Sequence, residues 1–151
     1  MNIKPCIIGL GYVGLPVFLR VQSKFQTIGY DINKNRINTL NKKIDTNKEF
    51  NKFELKLKNK SKFVFKRNLL EKCNFYIVTM PTPLTNQNNP DMSFLEQVSI
   101  LLSKILKKND IIIFESTVYP GASKYLTKNY LEKGSGLKEN KDFFVGYSPE
   151  R

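Results

Sequence analysis

The 151-residue chain has no histidine, only two cysteines, and 13 acidic residues against 25 basic ones. Each shortage excludes something. With no histidine and no clustered cysteines, there is no set of zinc ligands, and no metal is expected. Cys6 and Cys73 are too few for a disulfide scaffold; one lies inside a predicted strand and one before another, so both read as small buried hydrophobes. No apolar run approaches the roughly 18 residues that a membrane span needs. Pro5 and the following glycines interrupt the first apolar run, so no secretory pattern is read, and a cytoplasmic location is expected. Arginine is scarce as well, with only Arg20, Arg36, Arg67 and Arg151. The net charge of +12 is therefore carried by lysine, scattered among asparagines. Nucleic-acid readers place arginine and aromatics in a defined module, which is missing, so neither nucleic acid nor membrane is expected as a partner. Such a field would still help to capture an anionic nucleotide.

What is present begins with Ile7-Ile8-Gly9-Leu10-Gly11-Tyr12-Val13-Gly14. It sets three glycines at G-x-G-x-x-G spacing directly after a short apolar run. Gly9 permits a tight strand-to-helix turn, Gly11 lets backbone approach a pyrophosphate, and Gly14 lets the helix pack on the strand. The following helix N-terminus offers unpaired N–H groups to the anion. Asp31 follows 22 residues after Gly9 at the end of the next strand. There a carboxylate accepts hydrogen bonds from adenosine ribose hydroxyls and repels a 2′-phosphate, which favours NAD over NADP. Arg36 leaves three options open: accepting that phosphate, stacking on adenine, or pairing on the pyrophosphate side.

Periodicity predicts strands over 4–8, 26–30, 62–65, 75–80, 110–115 and 142–147. It predicts helices over 12–24, 34–43, 91–108 and 121–132, the third capped by Ser93 with Glu96 as a capping box. A loop and short helix are expected in the lysine-rich 45–62 segment, a helical turn over 68–72, and a turn at Gly134-Ser135-Gly136. The Ile111-Ile112-Ile113-Phe114 run suggests burial on both faces. This alternation predicts a single α/β domain over 1–151. It is a Rossmann-type, doubly wound, mostly parallel six-stranded sheet with helices on both faces. The chain stops at Ser148-Pro149-Glu150-Arg151, directly after a strand and without a closing helix, which reads as a truncation.

Two more strand ends carry unusual turn chemistry: Thr79-Met80-Pro81-Thr82-Pro83-Leu84 and Glu115-Ser116-Thr117-Val118-Tyr119-Pro120-Gly121. In open parallel sheets ligands bind beyond the carboxyl ends of strands. The three strand ends are therefore expected to converge on one crevice.

Together with Gly29-Tyr30-Asp31-Ile32-Asn33 and Gly146-Tyr147-Ser148-Pro149-Glu150-Arg151, these blocks resemble the UDP-glucose/GDP-mannose dehydrogenase family, the nucleotide-sugar 6-dehydrogenases. Within it they resemble the branch acting on UDP-N-acetylglucosamine and UDP-N-acetylgalactosamine. The resemblance spans nearly the whole chain and is weakest at 47–62. It implies oxidation of a sugar C6 alcohol to a carboxylate with two NAD⁺, through a thioester. It implies that Gly9, Gly11, Tyr12, Val13 and Gly14 hold the cofactor, with Val13 offering backbone to the pyrophosphate. By the same resemblance, Asp31 holds the adenosine ribose, Arg36 flanks the adenosine half, and Thr82 meets the cofactor's ribose or phosphate region. Ser116 and Thr117 would sit near the nicotinamide, Thr117 helping to place a water, and Glu150 would orient water or relay protons. Arg151 lies in the family's motif without an assigned role. The family's nucleophilic cysteine, its activating lysine, its nucleotide-sugar site and its dimer-forming central helix belong to later domains. Neither Cys6 nor Cys73 aligns with that nucleophile. The resemblance thus implies a homodimeric or larger parent protein that meets its UDP-sugar through other domains, and a 151-residue chain that binds NAD without oxidising the sugar. A non-catalytic NAD-binding module and another Rossmann dehydrogenase, such as a hydroxyacid reductase, are the alternatives. A polyanion-binding protein is a further alternative, resting on charge alone.

Overall fold

The computed structural model describes residues 2–86, 89–116 and 118–148. The six predicted strands all form, and they lie in one sheet in the order β3-β2-β1-β4-β5-β6. The chain divides into two compact units, Met1–Thr79 and Met80–Arg151, each built around its own apolar side chains.

The first unit runs β1 (Pro5–Ile8), α1 (Gly14–Val21), β2 (Ile28–Tyr30), α2 (Lys34–Asn41), β3 (Lys62–Val64), a 3₁₀ turn (Arg67–Lys72) and β4 (Phe75–Val78). β1 pairs in parallel with β2 and β4, and β2 with β3. The sequence order of the strands reverses at β1, the kind of switch point where doubly wound sheets leave a crevice. β1 is buried along its whole length, as befits a central strand, and Pro5 begins it, where a missing N–H is tolerated. Pro16 sits in the first turn of α1, where no intrahelical partner is lost. Asn33 caps α2, its side chain accepting from the N–H groups of Asn35 and Arg36 at 3.0 and 3.1 Å. Ile7, Leu10, Leu15, Phe18, Ile37, Leu40, Leu55 and Phe63 form the core under these elements. The rings of Phe18 and Phe63 meet at 4.5 Å between centroids. Burying side chains of this size stabilises by roughly 1.5–3 kcal/mol each, which fixes α1 and α2 on the strands.

The 45–62 segment forms turns and no short helix. Its amides turn instead to side-chain acceptors on Asp45, Asn51, Glu54 and Gln22. Leu55 is the apolar anchor that seats it. Both cysteines are buried, as expected. Burial, reinforced by the neighbouring Cys73 thiol, pushes the Cys6 thiol well above its usual range. A thiol held protonated is a poor nucleophile.

The second unit contains α3 (Ser93–Ser103), β5 (Ile111–Phe114), α4 (Ala122–Leu126), a π-helical stretch (Thr127–Glu132), α5 (Lys133–Ser135) and β6 (Phe144–Tyr147), with β5 and β6 parallel. Four expectations are corrected here. The N-cap of α3 is Met92, without a side-chain cap; Asp91 accepts the Ser93 N–H at 2.9 Å, and Glu96 accepts from the Tyr125 hydroxyl at 3.3 Å, so the Ser93–Glu96 capping box does not form. α3 also stops at Ser103, short of residue 108. After α4 the chain stays helical through Ser135, and only Gly136, at φ 72°, turns away. The turn expected at Gly134-Ser135-Gly136 is therefore a helix C-terminus. β5 alternates: Ile112 and Phe114 are buried, while Ile111 and Ile113 are partly exposed.

Candidate cofactor site

In the first unit the glycine turn leads from β1 into α1. Gly9 adopts φ 92°, a left-handed conformation that glycine reaches without strain. Its N–H donates to the Tyr30 carbonyl at 2.8 Å, which ties the turn to the end of β2. A Cβ on Gly14 would collide with the Gly9 carbonyl oxygen and with Thr79 Oγ1, so the close approach of helix to turn requires glycine there. Around a Cβ on Gly11 there would be open space, which suits a position reserved for a ligand's approach. Val13 caps α1 with no side-chain acceptor, and the first turn holds no acidic residue. The leading N–H groups of a helix have no intrahelical partner, and an anion satisfies them.

Thr79, a strand-end residue to which the sequence alone assigns no role, holds the turn from the opposite side. Its buried hydroxyl lies 3.0 Å from the Ile8 carbonyl oxygen and 2.7 Å from that of Gly9. Its position just beyond β4 was the available clue.

Asp31 stands at the carboxyl end of β2, half-buried, as predicted. Oδ2 accepts the Leu10 N–H at 2.8 Å and Oδ1 accepts the Asn33 N–H at 2.8 Å. Each carboxylate oxygen carries a second lone pair, so the group can still receive ribose hydroxyls. Asp31 therefore orients the glycine turn and faces the cleft at once.

That cleft measures about 420 Å³ and is lined by Leu10, Gly11, Tyr12, Asp31, Arg36 and Thr46 among others. Arg36 is buried in its wall. Its Nε donates to the Leu10 carbonyl at 2.8 Å, and its Nη1 donates to Asp45 Oδ1 at 2.6 Å and to Thr46 Oγ1 at 2.8 Å. Nη2 is buried with no hydrogen-bond partner among the described residues. Asp45, also missed from sequence, has a fully buried side chain. Beyond Arg36 it accepts the N–H groups of Asn47, Glu49 and Phe50 at 2.9–3.1 Å. Burial pushes its pKa up, but the hydrogen bonds from Arg36 and these amides outweigh burial and leave it below the usual carboxylate value.

The second unit holds the remaining predicted positions. Thr82 is partly buried in the turn after β4. That turn is closed by the Leu84–Pro90 bridge and by the Asp91 N–H donating to the Pro83 carbonyl at 2.7 Å. Ser116 is buried, its hydroxyl donating to the Met80 carbonyl at 2.7 Å, which joins the two strand-end segments of this unit. Thr117, Glu150 and Arg151 lie outside the described residues. Among the described residues, no cluster of ligands fit for a metal ion is found, and no helix is long and apolar enough to cross a membrane.

The residues present fit a dinucleotide. The turn is open at Gly11, the helix start is uncapped, and an acid stands at the end of β2 beside an open cleft. Comparison with known proteins points the same way. Residues 1–151 match the family described as "UDP-glucose/GDP-mannose dehydrogenase family, NAD binding domain". The chain is 47% identical over 150 residues to a UDP-N-acetyl-D-glucosamine 6-dehydrogenase of Pseudomonas aeruginosa, covering 99% of this chain and 36% of the relative. It is 42% identical to the enzyme of the same name from Salmonella typhi, covering 99% of this chain and 35% of that protein. It superposes on the structure of a UDP-D-ManNAc dehydrogenase from Pyrococcus horikoshii with a TM-score of 0.91 at 29% identity, covering 99% of this chain and 36% of that one. The chain thus spans about a third of the length of the curated relatives it matches.

Proposed function

The chain belongs to the UDP-glucose/GDP-mannose dehydrogenase family as its NAD binding domain, and from that premise we propose that it serves a UDP-N-acetylhexosamine 6-dehydrogenase. The parent protein would oxidise the sugar's C6 alcohol to a carboxylate in polysaccharide precursor synthesis. Bound NAD⁺ supplies the hydride acceptor. Identity of 42–47% to two UDP-N-acetyl-D-glucosamine 6-dehydrogenases supports this substrate class.

The work of this chain's own residues follows from the site. The backbone at Gly11, Tyr12 and Val13 and the uncapped start of α1 hold the pyrophosphate. Gly9 and Gly14 allow turn and helix to come that close. Asp31 accepts the adenosine ribose hydroxyls, and Arg36 flanks the same half. By family resemblance alone we assign Thr82 and Ser116 to the cofactor, and Thr117 and Glu150 to water placement and proton relay. Cys6 and Cys73 take no part, being buried. The UDP-sugar site, the nucleophile and the dimer contact are assigned to parts of the parent protein beyond this chain's sequence. We read the protein as acting in the cytoplasm.

The observation that carries this reading is the Asp31 carboxylate, bonded to the Leu10 N–H of the glycine turn and facing the cleft. Calorimetric titration of the chain with NAD⁺ tests it. One-site binding is expected, weakened at least about tenfold by Asp31→Ala, the loss of a charge-assisted pair of hydrogen bonds. Equal binding by both proteins would refute the assignment. NADH formation by the chain alone with UDP-N-acetylglucosamine or UDP-N-acetylgalactosamine would refute the division of labour.

A further inference from the structure

Asp31 and Arg36 are the charged side chains lining the cleft. They pull a 2′-phosphorylated dinucleotide in opposite directions: the acid repels the extra phosphate and the guanidinium attracts it. The hydrogen bonds of Arg36 bear on that contest. Arg36 does not extend toward the cleft as a free cation. Its Nε is spent on the Leu10 carbonyl, its Nη1 on Asp45 and Thr46, and its side chain is 8% exposed. The Asp45 side chain is fully buried behind it, so that pair is poorly screened by solvent. We propose that Asp45 is a specificity-determining residue: by holding Arg36 in the wall and cancelling its charge, it leaves Asp31 to rule the cleft and bars a ribose 2′-phosphate.

This inference rests on the assignment of the cleft to the adenosine end of NAD. The charge count gives its sign. With Asp45 ionised, the side chains Asp31, Arg36 and Asp45 sum to one negative charge. With Asp45 neutral they sum to zero, and the guanidinium loses the partner that holds it back. Asp45 is nine residues from Arg36 in sequence; its carboxylate meets the cleft's charged lining through Arg36 and also holds the N–H of Asn47, an uncharged residue of the lining. That makes it a positioning residue and gives it a signature that a purely structural role would lack: a change in the ratio of two ligand affinities.

The experiment titrates the chain with NAD⁺ and with NADP⁺ and compares Asp45→Asn with the unaltered protein. The expected result is a relative gain of about tenfold for NADP⁺, the scale of one uncompensated charge near a phosphate at partial screening. Adding Arg36→Gln to Asp45→Asn should cancel that gain, because the recruited cation is gone. Asp45→Ser, which keeps an acceptor for the Asn47 N–H, serves as a second variant if the amide does not fold. An unchanged NADP⁺/NAD⁺ ratio in a folded variant overturns the proposal, and so does a gain that survives Arg36→Gln. Failure of the unaltered chain to bind either dinucleotide overturns the cofactor assignment and this inference with it, and is thereby distinct from an unchanged ratio.

Discussion

Asp45 in the first unit and Glu132 in the second are buried acids paired with basic side chains, and the two do different work. In the first unit, the fully buried Asp45 carboxylate receives one guanidinium and the amides of an irregular segment. In the second, Glu132 ends the π-helical stretch and pairs with Lys128 at 2.7 Å and Lys138 at 3.4 Å, two side chains that are at least half exposed. Glu132 lies on a helix whose backbone is already hydrogen-bonded, so its partners trim a structure that exists without them. Asp45 stands where the backbone has no ladder of its own. Remove its carboxylate and those amides lose their side-chain acceptor, while the buried Arg36 side chain loses its counter-charge. The same ion-pair chemistry therefore organises the wall of a cleft in one place and decorates a helix in the other.

The largest test of this contrast is Asp45→Ala. Breaking a buried pair from one side leaves an uncompensated charge and is expected to cost about 3 kcal/mol or more. Urea denaturation with tryptophan-free detection, such as far-UV circular dichroism, reads it. A loss under about 1 kcal/mol would break the contrast.

The acid limb of stability is next. The hydrogen bond from Lys128 is the chief cause that holds the Glu132 carboxyl at about 2, against an ordinary 4.5, and the Glu139 N–H adds to it. A lowered folded pKa means that the contribution is fully present above the unfolded value and disappears as the pH falls from about 4.5 towards 2. Glu132→Gln should therefore flatten the stability profile within that window and leave its slope above pH 5 unchanged, as followed by thermal melts across the acid range. A slope change confined to neutral pH would contradict the assignment. Lys138→Ala should move stability by less than about 0.5 kcal/mol, the usual yield of an exposed pair. A larger loss in the same melts would place Glu132 alongside Asp45.

Much of this arrangement was legible in the sequence. The strands and their alternation with helices follow from local periodicity, and the glycine turn from the spacing of Gly9, Gly11 and Gly14 after an apolar run. Asp31 was legible because its distance from Gly9 is set by one helix and one strand. Asp45 was not. It sits in a stretch rich in lysine and asparagine without periodicity, and its partner Arg36 reaches it across a helix that the sequence leaves unoriented. The hydroxyls of Thr79 and Ser116 were equally hidden in role, since each bonds a carbonyl 36 or more residues away. The start of α3 was misread for a local reason: Asp91, two residues before Ser93, accepts the Ser93 N–H, and side-chain competition of that kind shifts a boundary without altering the apolar pattern.

The central claim is that NAD⁺ binds by its adenosine half in the cleft between the glycine turn and the Arg36–Asp45 wall. Amide chemical-shift mapping of the chain during an NAD⁺ titration tests it most directly. The expected result is saturating shifts at Leu10, Gly11, Tyr12, Val13, Gly14, Asp31, Thr46 and Asn47, with a shift of the Arg36 Nε–H. Shifts gathered instead at the basic groove lined by Lys4, Gln26, Lys62 and Lys72, with the glycine turn unmoved, would contradict it.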